Sequence, residues 1–277
     1  MDNKAFDLDA YFTRLNYSSV VQPTEDGLEA LHRAQVYTIP FENFDILLER
    51  GIALEPVALC DKLVHRARGG YCFELNGLFL MALHAIGFEA RALLARVHLV
   101  DPPSGRQHQL TLVTLQGRQW ITDVGFGSFG FRAPMPLEFN HPTVHDGLTF
   151  RLVEAEPFGI MLQGLKRGQW LNLYSFDLGQ VFPVDIAVGN HFTATHPSSL
   201  FTFARVVALL TPTGRVSLLN RTLRIVTADA EQVQELGEGQ AYLDALKTHF
   251  GIELDAPYEA LRPLPGTDQE KGPGLEW

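Results

Sequence analysis

The order of hydrophobic patterns along this chain predicts an α+β fold, with helices first, antiparallel strands next and a mixed segment last. Three observations carry that reading. Apolar residues recur at helical spacing up to about residue 88. From Ala90 the pattern turns to Leu- and Val-rich runs and to strict polar–apolar alternation, the period of a strand. The two kinds of segment come in blocks and do not alternate as strand–helix–strand units.

Each element follows from its residues. Leu8, Tyr11, Phe12 and Leu15 lie on one face of a first helix that Asp7 can cap. Thr24 suits the cap of a second helix carrying Leu28 and Leu31. Pro56 suits the first turn of a third, with Val57, Cys60 and Val64 on its apolar face. Lys62, His65 and Arg66 stand near the end of that helix, and Gly69-Gly70 breaks it. A fourth helix runs from Cys72 to Ile86 and stops at Gly87. Strands follow at Ala90–Val100, at Gln109–Leu115 as a half-buried strand, and at Trp120–Val124, with further short strands to about residue 180. A hairpin turns at Thr211–Arg215 between strands Phe201–Leu210 and Val216–Val226. A last helix spans Gln240–Phe250 and ends at Gly251. From Pro263 the composition predicts a flexible tail.

Composition excludes several classes of function. The 277 residues are 46% hydrophobic and 19% charged, enough to bury a core. Two cysteines cannot make a disulfide scaffold, and no apolar run is long enough for a membrane helix. The N-terminus lacks a secretory signal core. A net charge of −10 without a Lys/Arg stripe argues against nucleic-acid binding. These features predict a soluble, cytoplasmic protein. No His/Cys cluster has metal-ligand spacing, so no metal is expected.

The chemistry centres on Arg68-Gly69-Gly70-Tyr71-Cys72-Phe73-Glu74-Leu75-Asn76. A glycine pair ends one helix and a cysteine opens the next. A thiol at a helix N-terminus meets free N–H groups and the positive end of the dipole, and both favour the nucleophilic thiolate. Cys60, mid-helix on an apolar face, reads instead as a core thiol. A nucleophilic cysteine needs a base and the base an orienting group. His108 stands where a Pro/Gly loop enters an alternating strand, and Asp123 sits inside an otherwise apolar strand joined to it by a short turn. Hairpin pairing can bring the two together, with the second ring nitrogen of His108 facing Cys72. Gly125-Phe126-Gly127-Ser128-Phe129-Gly130 lacks dinucleotide-loop spacing and offers a flexible backbone with two apolar walls.

The Arg68–Asn76 segment resembles the active-site motif of the arylamine N-acetyltransferases. Ile39-Pro40-Phe41-Glu42-Asn43, His108 with its strand, Trp120-x-x-Asp123-Val124-Gly125-Phe126-Gly127 and Thr195-His196-Pro197-Ser198-Ser199-Leu200-Phe201 agree with that family in order and spacing. The resemblance implies three parts built on a papain-like thiol-enzyme core: a helical bundle (1–88), an antiparallel β-barrel (89–200) and an α/β lid (201–277). It implies a Cys72–His108–Asp123 triad and ping-pong acetyl transfer from acetyl-CoA to an arylamine, arylhydrazine or N-hydroxyarylamine. It further implies that Phe41 and Phe126 line the acceptor pocket, that Gln107, Phe126, Gly127 and Phe201 meet the CoA arm, and that Arg68 pairs with Glu42. Thiol hydrolysis, macrolactam-forming amide synthesis and an inactive binding module use the same frame and remain alternatives at this stage.

Overall fold

The computed structural model describes residues 6–264, so the expected tail lies outside the described residues from residue 265 on. Helix α1 (Leu8–Arg14) is capped by Asp7, whose carboxylate accepts from the Ala10 N–H at 2.9 Å. Helix α2 (Glu25–Val36) is capped by Thr24 and buries Leu28 and Leu31. Two elements too short to show a period follow, strand β1 (Phe41–Glu42) and helix α3 (Phe44–Leu47).

Helix α4 (Pro56–Leu59) starts at the expected proline but widens into a π-helical segment, Cys60–His65. The wider turn shifts the inward face to Leu59, Cys60, Leu63 and Val64. Val57, expected on that face, is 68% exposed. Helix α5 (Cys72–Ile86) begins at the cysteine and ends at Gly87 in the left-handed region.

Eight antiparallel strands then curl into a nearly closed barrel: β2 (Glu89–Val97), β3 (Arg106–Leu115), β4 (Arg118–Thr122), β5 (Met135–Pro136), β6 (Thr143–His145), β7 (Leu148–Ala155), β8 (Gly159–Lys166) and β9 (Gln169–Phe176). Their order is β5-β4-β3-β2-β9-β8-β7-β6. The expectation of a half-buried strand over Gln109–Leu115 is corrected. From His108 to Val113, β3 is buried on both faces. Leu110 and Leu112 enter the barrel core with Phe150, Leu162 and Tyr174, while Val113 and Leu115 join the helical core around α5. A polar–apolar alternation hides this double burial because Thr111 and Gln109 occupy the helix-facing side.

Helix α6 (Pro183–Thr195) crosses back over β3. Strands β10 (Val206–Thr211), β11 (Gly214–Leu219), β12 (Thr222–Val226) and β13 (Glu231–Glu235) form a second antiparallel sheet. Helix α7 (Gln240–Phe250) packs Tyr242, Leu246 and Phe250 against its Val207, Leu218 and Leu223. Phe201 stands in a 3-10 turn, outside the strand expected for it. The expected strand Val216–Val226 is two strands, because Asn220 takes a positive φ of 56° and reverses the chain. β1 closes this sheet, pairing Phe41 with Ala208, so an N-terminal segment and a C-terminal strand share one edge.

Candidate active site

Cys72 is held from below by buried charge. Arg68 is 2% exposed and donates from Nε and Nη2 to Glu42 Oε1 at 3.1 and 2.7 Å. Lys62 Nζ lies 2.7 Å from Asp45 Oδ2 and 2.8 Å from Glu74 Oε1. Glu74 Oε2 accepts the Tyr71 N–H at 3.0 Å, which satisfies an otherwise orphaned donor at the start of α5. Burial pushes the Glu74 carboxyl up, and Lys62 pulls it back. Burial also opposes ionisation of Asp45, but Lys62 and Arg68 outweigh it and hold that carboxyl below its usual range. The Gly69-Gly70 pair lets this frame close: a Cβ on Gly69 would stand 2.3 Å from the Pro40 carbonyl. The motif around Phe41 is thereby laid against the chain entering α5, with Glu42 N donating to Gly70 O at 2.9 Å.

Cys72 opens α5, is 4% exposed, and has Sγ 3.8 Å from the Gln107 carbonyl oxygen. Neither cysteine is in a disulfide. Cys60 is buried in the π segment, where burial pushes its thiol up.

His108 and Asp123 meet as the hairpin suggested, with one correction. Asp123 lies just past β4, which ends at Thr122. Because Thr111 pairs with Thr122, Asp123 falls opposite Leu110, and His108 is two residues further on the same face. The contact is therefore diagonal. His108 Nε2 lies 2.7 Å from Asp123 Oδ2. Both residues are almost fully buried. Burial alone would lower its pKa; Asp123, and then a hydrogen bond with Cys72, raise it to about 10. Burial would raise the Asp123 pKa, but His108 and Asn76 hold it below the usual carboxylate range.

Asn76 had no role in the sequence reading, although the motif ended on it. It stands one helical turn after Cys72. Its Nδ2 donates to Gln109 O at 2.7 Å and to Asp123 Oδ1 at 3.0 Å, and its Oδ1 accepts the Val124 N–H at 3.1 Å. Gly125 N donates to the same Asp123 oxygen at 3.0 Å. The loop can lie this close to α5 because a Cβ on Gly125 would stand 2.8 Å from Cys72 Cα. His32 was missed too. It is fully buried on α2, stacks on Phe131, and its Nε2 accepts the Asp123 N–H at 3.4 Å. Burial drops its pKa to about 3, so the ring is neutral. Its place on the α2 face of Leu28 and Leu31, at helical spacing from Leu28, marked it for burial but not for Asp123.

The residues expected to bind substrates gather around this centre. The Phe126 ring lies 4.9 Å from that of His108, and Phe41 lies 5.7 Å from Phe201. A Cβ on Gly127 would face the Phe41 ring at 3.6 Å. Gln107 precedes His108 on β3 and turns its carbonyl to Sγ. Tyr71 stacks edge-on against Phe201, and its hydroxyl donates to Asn190 Oδ1 of α6. Among the described residues, no group of three His, Cys, Asp or Glu side chains is placed to hold a metal ion.

A protein-family model described as N-acetyltransferase matches residues 25–258. The arylamine N-acetyltransferase / N-hydroxyarylamine O-acetyltransferase of Salmonella typhimurium is 43% identical over 218 residues, 77% of this chain and 76% of that protein. The arylamine N-acetyltransferase of Mycobacterium tuberculosis is 38% identical over 259 residues, 90% of each. Among solved structures, the Salmonella typhimurium enzyme superposes with a TM-score of 0.86 at 36% identity, covering 90% of this chain and 92% of that one. The Mycobacterium marinum enzyme in complex with CoA does so with a TM-score of 0.84 at 35% identity, covering 89% and 93%.

Proposed function

This chain belongs to the arylamine N-acetyltransferase family and takes acetyl-CoA as its acyl donor, and from that premise we propose that it works through a Cys72 thioester governed by His108 and Asp123. The observation that carries the proposal is the buried 2.7 Å contact between His108 and Asp123, with Cys72 at the N-terminus of α5 close enough to help raise the His108 pKa. An imidazolium beside the sulfur favours the thiolate. Cys72 Sγ attacks the acetyl carbon of acetyl-CoA, and free N–H groups of the first turn of α5 are available to the developing oxyanion. The carbon–sulfur bond to CoA breaks, and the departing thiolate takes the proton from His108. The amine nitrogen of the acceptor then attacks the thioester. Neutral His108 removes its proton, and Cys72 leaves with its electron pair restored. Asp123 keeps the ring oriented through both halves.

Phe41 and Phe126 are assigned to the acceptor, and Gln107, Phe126, Gly127 and Phe201 to the pantetheine arm of CoA. Their clustering around His108 and Cys72 supports this. Aromatic walls suit a flat aromatic amine. Arylhydrazines and N-hydroxyarylamines, which carry the same nucleophilic nitrogen on a ring, are further acceptors of the proposal. A cytoplasmic location fits the reduced state that Cys72 needs. The division into 1–88, 89–200 and 201–277 is the corresponding proposal for the domains.

The test uses acetyl-CoA alone. Mass spectrometry of the Cys72 peptide should show one added acetyl group, which an arylhydrazine then removes as acetylated product appears. A folded wild-type protein that never acquires the adduct would overturn the reading.

A further inference from the structure

The π-helical turn at Cys60–His65 reaches the active site through one side chain. Lys62, expected with His65 and Arg66 near the end of a helix, is turned inward and buried, while those two stay exposed. Wide turns of this kind recur at functional sites. Lys62 Nζ lies 2.8 Å from Glu74 Oε1 and 2.7 Å from Asp45 Oδ2. Asp45 has other cations, Arg68 at 3.3 Å and Arg50 at 3.8 Å. Among the described residues, Lys62 is the one cation paired with Glu74.

Glu74 is the third residue of α5, two positions after Cys72. Its Oε2 accepts the Tyr71 N–H at 3.0 Å. Gly70 makes room for the carboxylate, since a Cβ there would stand 2.8 Å from Oε2. The other charged or titratable groups around Glu74 are Glu42 of β1, itself held by Arg68, and Tyr71 and Cys72 at the start of its own helix. A carboxylate suits the positive end of a helix dipole. It also opposes ionisation of a thiol beside it. The cap of α5 thus works against Cys72 unless its charge is matched.

We infer that Lys62 is a positioning residue for the acetylation of Cys72: its ammonium holds Glu74 on the Tyr71 N–H and cancels a carboxylate charge that would otherwise oppose the thiolate. The inference rests on the proposed Cys72 thioester. Burial pushes the Glu74 carboxyl up, and Lys62 pulls it back. Without the ammonium, Glu74 holds a proton at neutral pH and releases it only in alkali, because a fully buried carboxyl titrates as high as about 8–9. Once that proton is lost, an unmatched charge stands two residues from Cys72.

The test is the pH profile of the acetylation step, followed by rapid quench with acetyl-CoA. In the wild type the rate should hold up to the His108 limb near pH 10. In Lys62→Met it should fall by about tenfold between about pH 7 and 9, as Glu74 ionises. Lys62→Met/Glu74→Gln should lose that early limb, because the glutamine amide oxygen still accepts the Tyr71 N–H and cannot ionise. A lysine needed only for the fold would lower the rate alike at every pH. A Lys62→Met profile parallel to that of the wild type, or an early limb that persists in the double variant, overturns the inference. Should Lys62→Met fail to fold, Glu74→Gln is compared with the double variant. With a neutral cap in both, loss of the ammonium should change the acetylation rate by less than about threefold, and a larger loss overturns the inference. Mass spectrometry of wild-type Cys72 separates this from the other failure. Absence of the acetyl adduct would overturn the thioester reading and this inference with it, whereas an adduct with parallel profiles overturns the role of Lys62 alone.

Discussion

Asn76 Nδ2 donates to Asp123 Oδ1 at 3.0 Å from a position one helical turn beyond Cys72. A single helix therefore carries Cys72 and also fixes the carboxylate that contacts His108. Its side chain satisfies two backbone groups as well, Gln109 O and Val124 N. Asn76→Ala strips all three at a fully buried position and should cost about 2–4 kcal/mol of stability. The acetylation rate of Cys72 should fall by about ten- to a hundredfold. Asn76→Asp, which sets a second carboxylate against Asp123, should be worse than Asn76→Ala in a rapid-quench assay. Equal rates for Asn76→Ala and wild type would show that Asp123 needs no such support.

Asp123→Asn removes the charge that does most to raise the pKa of His108, and burial then pulls it down. With the wild type, the alkaline fall in acetylation rate should come only near pH 10, where His108 loses the proton that the departing CoA thiolate requires. In Asp123→Asn the fall should move to lower pH and the plateau should drop by about a thousandfold or more. An unchanged alkaline limb in the variant would contradict the coupling.

Two arginines separate buried from exposed charge. Arg68 is buried on Glu42, whereas the guanidinium of Arg66, 2.8 Å from Asp61, is 45% exposed. Arg68→Ala leaves Glu42 charged and unpaired in the interior and should destabilise by about 3–5 kcal/mol. Arg66→Ala should change stability by less than about 1 kcal/mol. Urea midpoints at pH 7 decide between them, and comparable losses would mean that the Arg68 network is not under tension from burial.

Acid should act first through histidines held neutral. His32 titrates near 3 and His145 near 4 in the folded chain, in both cases mainly because of burial. Between those values and the ordinary histidine pKa of about 6.5, the unfolded chain binds protons that the folded chain does not. Stability therefore rises with pH across that window and is lost as pH falls from about 6.5 toward 4, by on the order of a few kcal/mol. His32→Phe, which keeps a ring on Phe131, should flatten part of that loss. An equal slope in wild type and variant would remove His32 from the account. Asp123 adds to the acid loss at lower pH, and His108 acts in the opposite sense at alkaline pH. The depressed Asp123 pKa contributes stability above its ordinary value near 3.8, lost as pH falls through the folded value, and the raised His108 contributes stability lost as pH rises through about 10.

Local signals read well wherever a cap or a period lay within a dozen residues. Asp7, Thr24, Gly87 and the span Gln240–Phe250 needed only neighbouring residues to define them, and the structure keeps each. The ordered motifs likewise pointed to Cys72, His108 and Asp123 before any contact was known. What escaped depends on distant partners. The exposure of Val57 follows from a π turn, and the double burial of β3 needs α5 on its outer side. His32 acts on a backbone group 91 residues away. β1 spans two residues and exists only because β10 pairs with it.

That last pairing bears on how the protein is made. Asn43 reaches the Phe201 carbonyl, 158 residues later in the chain, and Phe41, two residues before it, pairs with Ala208. A nascent chain leaving the ribosome exposes Cys72, His108 and Asp123 long before β10 is synthesised. Cys72, His108 and Asp123 thus precede in the chain the strand that pairs with Phe41. Contacts of such sequence separation form slowly, so the pairing of Phe41 with Ala208 should be among the last contacts this protein makes as it folds and among the first it loses when its second sheet loosens.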